Sequence, residues 1–318
     1  MARRRLDQLL KFRQLRMTEA LVRHQSLTRA AAALGLSQPA LTKAIRELEA
    51  LMGEPLFQRH ARGMRPTAAG LVVAQYARAA LADLNRLEET LDLENGPGLG
   101  PVAVGALPVA AVGLMPAVIN RARAELPALH IRLVEGRTEA LLAQLEAGEV
   151  DLVVGRLYAP LAPDGLIREA LYAEPISVMA RVGHPLHRLR RPTVKDLAAF
   201  DLILPSFSQR IGQDTEDFMA AIGLQPTPGA IRSTSRGFIR EMLLASDMIT
   251  VMPRIVMGGD LLRGQARVIS VAAPAMPRPA GVITNPRHGA PSGAQMLIRL
   301  IRETITDLAQ SGDLDITK

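Results

Sequence analysis

Apolar residues in the stretch Ser26–Met52 recur at helical spacing. Leu41, Ile45, Leu48 and Met52 stand four, three and four apart, so they share one face of a helix that must bury against a partner. Ser37 is placed to cap that helix, with Pro39 tolerated in its first turn. Ser26 caps a preceding helix over Leu27–Leu34, which Gly35 ends, and the run Ala30–Ala33 lets the two approach closely. At ~100° per residue, Pro39, Thr42, Lys43 and Arg46 gather on the outer face. Lys11–His24 reads as an earlier helix with Leu15 and Leu21 inward, behind an Arg3-Arg4-Arg5 arm expected to fray.

From Thr67 to Leu93 the pattern becomes a single long helix. Val73, Ala77, Ala80, Leu84, Leu87 and Leu91 alternate four and three apart, a heptad seam suited to pairing with a second helix. The competing reading is that this stripe packs on its own chain's core. A rise of 1.5 Å per residue makes the helix roughly 40 Å long, and Asn95-Gly96-Pro97-Gly98 ends it in a hinge. Beyond Pro101, short apolar strands alternate with helices. Val102–Ala106, Ile131–Glu135 and Asp151–Gly155 are strands, with helices after Pro108 and through Arg137–Ala147. This βαβ order predicts a largely parallel sheet covered on both faces. A second set of strands follows at Asp201–Pro205, Ala230–Ser233, Met248–Met252 and Arg267–Val271, with helices near Lys195, Asp217, Ile239 and Ile255. Strands at Ile176–Arg181 and Gly281–Asn285 lie at the transitions, and a last helix over Gln295–Ala309 returns to the first lobe. The expected domains are 1–66, a linker helix 67–94, a hinge 95–100, lobe I 101–180, lobe II 181–282 and a return to lobe I over 283–318.

Charge sharpens the picture of the first domain. The formal net charge is +7, yet residues through Pro66 hold 13 Lys and Arg against 5 Asp and Glu, while the remainder holds 25 against 26. A phosphate-bearing partner accounts for that asymmetry. Gln38 at the helix start can pair its amide with adenine, and Thr42, Lys43 and Arg46 can reach base edges and phosphates. Pro55–Pro66 carries Arg59, Arg62 and Arg65 around Gly63, as a basic hairpin wing would. Met17 to Gly70, with AAALGLSQPALTKAIRELEALMGEPLFQRHARGMRPTAAG at its centre, resembles the winged helix-turn-helix of the LysR-type transcriptional regulators.

That resemblance implies a winged helix-turn-helix, a long linker helix and two α/β lobes similar to a periplasmic solute-binding protein. It also implies a double-stranded DNA operator, a homodimer or homotetramer and contact with RNA polymerase. Ser37, Gln38, Pro39, Thr42, Lys43, Arg46, Arg59, Arg62 and Arg65 form the expected DNA surface. The order EGRTEALLAQLEAGEVDLVVGRL is similar to the branch holding regulators of sugar uptake and aromatic-acid breakdown.

Ligands of α/β lobes sit beyond the carboxyl ends of strands. Those ends bring forward Ala106, Leu107, Arg137, Thr138, Arg156, Ser206, Phe207 and Thr234, a set of arginines and hydroxyls suited to a small anionic or sugar-like effector. Ala106-Leu107 departs from the hydroxyl or amide that many family members place there. Ordinary helix capping is the bland alternative for the Ser and Thr positions.

Enzyme chemistry has little support. There is no GxxxxGK[ST], HExxH or GxSxG, and no cofactor is expected. An α/β enzyme or solute-binding module carrying an accessory DNA-binding domain stays open as the alternative. His184 and His187, in HPLH, lack a third ligand and read as a surface turn rather than a metal site. With no cysteine there is neither disulfide framework nor thiolate site, which suits a cytoplasmic setting. Gly98–Asn120 is uncharged, but Pro101, Pro108 and Pro116 argue against a membrane span.

Overall fold

The computed structural model describes residues 6–60, 63–93, 101–160, 163–206, 210–274, 276, 278–287, 291–310 and 315–316. The chain opens with a short helix α1 (Leu6–Leu9), not anticipated from the pattern, followed by α2 (Phe12–His24), α3 (Leu27–Ala33) and α4 (Gln38–Met52). Both predicted caps form. The Ser26 hydroxyl accepts from the Arg29 amide at 3.4 Å and the Ser37 hydroxyl from the Ala40 amide at 3.3 Å. Leu41, Ile45, Leu48 and Met52 are all buried, against Leu21, Ala30 and Ala31 from the preceding helices. Strands β1 (Phe57–His60) and β2 (Gly63–Pro66) pair antiparallel as the wing. Two contacts fix its entry and exit. The Glu49 carboxylate accepts from the Leu56 and Phe57 amides at 2.8 and 3.1 Å, and Thr67 donates to the Pro55 carbonyl while accepting from the Gly70 amide. Helix α5 (Ala68–Leu93) then leaves the domain; the proposed hinge at 95–100 lies outside the described residues.

The effector half runs β3 (Pro101–Ala106), α6 (Pro108–Gly113), α7 (Met115–Glu125), β4 (His130–Glu135), α8 (Thr138–Glu146), β5 (Leu152–Arg156) and β6 (Ile167–Ala173). It crosses into lobe II through β7 (Ile176–Arg181), a 3-10 turn at Pro185–Arg188, α9 (Val194–Leu197), β8 (Ile203–Pro205), α10 (Arg210–Ile222), β9 (Ile231–Ser233) and α11 (Arg236–Ala245). Strand β10 (Thr250–Pro253), a second 3-10 turn at Arg254–Met257, α12 (Gly258–Leu262) and β11 (Ala266–Ile269) finish that lobe. Strand β12 (Pro279–Thr284), α13 (Ser292–Gln310) and β13 (Asp315–Ile316) return to lobe I.

The lobe I sheet has the order β13-β6-β12-β5-β3-β4. Its β3–β4 and β3–β5 pairs are parallel, whereas β12 runs antiparallel to both β5 and β6. In lobe II, β8 and β9 are parallel and β10-β7-β11 antiparallel, joined by a parallel bridge between Leu202 and Ile249.

The sheets are therefore mixed rather than largely parallel, and β6 was not foreseen. The lobe boundaries also move. Strand β7, expected to close lobe I, pairs inside lobe II, and β12, expected to straddle the end of lobe II, lies in the middle of the lobe I sheet. The cause is the same at both places: the chain changes lobe before each strand rather than after it, at Glu174-Pro175 and on the approach to Pro279. Helix α13 packs on lobe I, with Leu297, Leu300 and Ile301 fully buried beside Val104, Leu152 and Val118.

Candidate functional site

Along the outer face of α4, Gln38, Pro39, Thr42, Lys43 and Arg46 line one open groove, extended at its far end by Glu47 and Ala50. The last two were missed, although each stands one turn beyond a residue that was singled out. Ser37 differs from its neighbours because its hydroxyl is spent on the cap. The Thr42 hydroxyl donates to the Gln38 carbonyl at 2.9 Å, and the Gln38 side chain accepts from Thr28 at 3.3 Å. Lys43, Arg46, Arg59 and Arg65 are exposed, so their charges can face a polyanion. Arg62 lies outside the described residues. The wing is held against the helices at its root, where the Met64 amide donates to the Gln25 carbonyl at 2.9 Å. Gly63, at φ +130°, comes close enough to that carbonyl that a Cβ would overlap it.

The heptad stripe on α5 divides. Ala77 is fully buried and Val73 partly so, Val73 against the core of the N-terminal domain. Those two positions belong to the chain's own packing, because α2 lies against the first turns of α5. Ala80 and Leu84 are half-buried, whereas Leu87 and Leu91 are each 53% exposed, so any seam with another helix is confined to the outer half.

Between the lobes lies a cavity of about 280 Å³. Lobe I supplies Leu107, Arg137, Thr138, Arg156 and Tyr158 to its wall, and lobe II supplies Arg210, Asp214 and Pro253. Glu174, on the first crossover, completes it. Leu107, Arg137, Thr138 and Arg156 are thus brought together as expected. Ala106 is not exposed to the cavity; it is fully buried, and its carbonyl accepts from the Gly136 amide. Ser206 and Thr234 do not line the cavity either, because Ser206 is drawn to the neighbouring strand, its amide donating to the Ser233 carbonyl at 3.0 Å. Phe207 lies outside the described residues.

Tyr158, Glu174, Arg210 and Asp214 were not picked out from sequence. Asp214 is the centre of the inner wall. Arg156 reaches it at 3.2 Å from lobe I, and Arg278, on the second crossover, at 2.7 Å with a further bond to the Asp214 carbonyl at 2.9 Å. The Arg156 and Arg210 guanidiniums both lie over the Tyr158 ring, 5.3 and 4.8 Å from its centroid. Burial, reinforced by the Asp214 charge, pushes its hydroxyl up to about 12. Glu174 is only 2% exposed and accepts from the Tyr172 hydroxyl at 3.3 Å. Burial pushes its carboxyl up to about 7, against the pull of Arg156. Arg137 and Arg210 stand at the exposed rim, Arg210 loosely paired with Glu139 at 3.5 Å.

His184 corrects another expectation. It is fully buried rather than in a surface turn, with one ring nitrogen accepting from the Leu186 amide and the other 3.0 Å from the Asp247 carbonyl. Among the described residues no group of three or more His, Asp or Glu could hold a metal ion, and no helix is long and apolar enough to cross a membrane.

A helix-turn-helix with a basic wing, joined to two lobes around a lined cavity, is the architecture of a DNA-binding regulator with an effector-binding domain. Residues 12–71 match the bacterial regulatory helix-turn-helix domain of the lysR family and residues 95–306 the LysR substrate binding domain. The chain belongs to the LysR family of transcriptional regulators; it is a DNA-binding regulator with an effector-binding domain, not an enzyme. It is 33% identical over 303 residues to the transcriptional regulator PcaQ of Agrobacterium fabrum, covering 95% of this chain and 97% of that one. It is 30% identical over 306 residues to GalR of Pseudomonas putida, covering 96% and 75%. Among solved structures, full-length CbnR in complex with its target DNA superposes with a TM-score of 0.64 at 18% identity, covering 93% of this chain and all of that one. A full-length OxyR variant from Pseudomonas aeruginosa gives 0.62 at 22%, covering 93% and 94%. At those identities the two structures speak for the fold.

Proposed function

We propose that a small anionic or sugar-like metabolite binds in the interlobe cavity and that its presence changes how the protein sits on its operator. The observation that carries this reading is a single cavity walled by both lobes, with unlike polar groups converging on it and arginines at its rim. A ligand touching both walls binds one relative placement of the lobes better than others, and only such differential affinity can shift a conformational equilibrium. At the other end, Gln38, Thr42, Lys43 and Arg46 read base edges while Arg59, Arg62 and Arg65 track phosphates. Pairing through the outer half of α5 presents two reading helices to an inverted repeat. Tetramer formation and contact with RNA polymerase extend this reading to the promoter.

The test is a thermal-shift screen of the full chain against carboxylic acids and sugars, followed by operator binding with and without the best hit. Stabilisation that disappears in Thr138→Trp, which fills the cavity mouth, supports the reading. A hit that binds this variant as tightly as the parent places the effector elsewhere.

A further inference from the structure

Four charged groups meet along and just behind the inner wall of the cavity. Arg156 ends β5 of lobe I, Asp214 sits on α10 of lobe II, and Glu174 and Arg278 lie on the two crossovers. With both acids ionised the two positive and two negative charges balance. Both arginines are committed to Asp214, at 3.2 and 2.7 Å. Glu174 has the Tyr172 hydroxyl, and among the described residues no guanidinium comes within salt-bridge range of it. The remaining groups that face it are Tyr158 from β5's continuation and, at the rim, Arg137, Arg210 and Glu139. An anion entering this space meets arginine charge that Asp214 and Glu174 together already offset, Asp214 by direct ion pairs and Glu174 from beyond ion-pair range. Removing the Glu174 charge restores the balance.

We propose that an anionic effector enters the cleft together with one proton, which settles on Glu174 and makes that residue the one that couples acid recognition to pH. The proposal rests on reading the cleft as the effector site. The step is a proton transfer from solvent to a Glu174 carboxylate oxygen; no other bond is made or broken. The resulting carboxylic acid turns from acceptor into donor and can offer its proton to an oxygen of the bound anion. Burial raises this carboxyl to about 7, which puts the coupling near neutrality.

The experiment uses the full chain with phenylacetate, ionised throughout, and its uncharged analogue phenylacetamide, each titrated by thermal shift at pH 6 and pH 8. Phenylacetate should bind about tenfold more weakly at pH 8, where the proton must be taken up, and phenylacetamide equally at both. In Glu174→Gln the pH dependence should vanish, with phenylacetate at pH 8 binding as it does to the parent at pH 6. Asp214→Asn gives the cluster a surplus positive charge, so it should bind phenylacetate more tightly than the parent at pH 8; it serves even where Glu174→Gln fails to fold. Phenylacetate binding that is equal at both pH values, a pH dependence that survives Glu174→Gln, or no phenylacetate binding overturns the proposal. If phenylacetamide alone binds, the cleft stands and the proton-linked anion falls. If phenylacetate binds undiminished to Thr138→Trp, the cleft reading itself falls.

Discussion

Gly63→Ala isolates what the wing contributes, because a second glycine provides a matched control. Gly63 has φ +130°, a conformation that side-chain-bearing residues avoid, and its added methyl would overlap the Gln25 carbonyl. The backbone strain is worth ~1–3 kcal/mol. Moving the wing away from that carbonyl also breaks the Met64 amide bond, for about 1 kcal/mol more. The sum is roughly 2–4 kcal/mol. Gly35 also has positive φ, +65°, but nothing lies within 4 Å of where its Cβ would stand, so Gly35→Ala carries only the left-handed penalty of ~1–2 kcal/mol. In a domain of this size each kcal/mol shifts the melting temperature by about 4–8 °C. Far-UV circular dichroism of the full-length variants should therefore show the N-terminal domain of Gly63→Ala melting well below that of Gly35→Ala. The functional readout is the slope of log K against log salt for random-sequence DNA. Displacing Arg59 and Arg65 should flatten it by up to about 0.9 per lost phosphate contact, while Gly35→Ala leaves it as in the parent. Equal melting temperatures, or an unchanged slope in Gly63→Ala, would refute the claim that this close approach places the wing on DNA.

Gln38→Ala and Lys43→Ala should each cost about 1–3 kcal/mol of discrimination between operator and random DNA, while Arg59→Ala weakens binding to both alike; competition gel shifts separate the two patterns. Leu87→Lys should dissociate dimers in sedimentation runs without lowering helix content, whereas Ala77→Lys should unfold the N-terminal domain, because that position is fully buried in its own chain. Thr138→Ala should lose on the order of 1–3 kcal/mol of effector affinity by calorimetry, and Ser206→Ala none. Glu174 has a folded-state pKa of about 7, above its ordinary 4.5. Its favourable contribution is therefore complete below the ordinary value and is lost as pH rises through about 7. Thermal melts between about pH 5 and 8 should fall more steeply for the parent than for Glu174→Gln.

Helix α4 was legible because periodicity and capping point the same way there: the face that must bury and the serine that must cap fix which side is left outward. The heptad on α5 shows the limit of that reasoning. Its spacing is the same along the whole helix, but whether the stripe is covered by its own chain, as at Ala77, or remains exposed, as at Leu87, depends on which elements lie beside it. Strand β6 was hidden by Arg168 and Glu169, whose charges suggest a loop; Arg168 pairs with Asp164 four residues upstream, and Glu169 with Arg302 across the fold. Part of the cleft was foreseen, since Leu107, Arg137, Thr138 and Arg156 lie at the ends of strands and strand ends converge. Tyr158, Glu174, Arg210 and Asp214 sit in a loop, a crossover and the first turns of a helix. Nothing in their local context distinguishes them from surface residues, and the charges find one another only when the lobes close.

The two crossings between lobes also set an order of assembly. Lobe II, from Ile176 to Ile269, is one uninterrupted piece of chain, whereas lobe I lacks a strand in the middle of its sheet until β12 arrives between β5 and β6. As the chain emerges from the ribosome, lobe II can close while the first-made lobe still exposes two facing hydrogen-bonding edges, a template for association with other chains. A message truncated after lobe II would thus yield a polypeptide with a finished second lobe and a split first one. Protection from aggregation during synthesis then depends on how quickly the last stretch of chain, from β12 onward, follows.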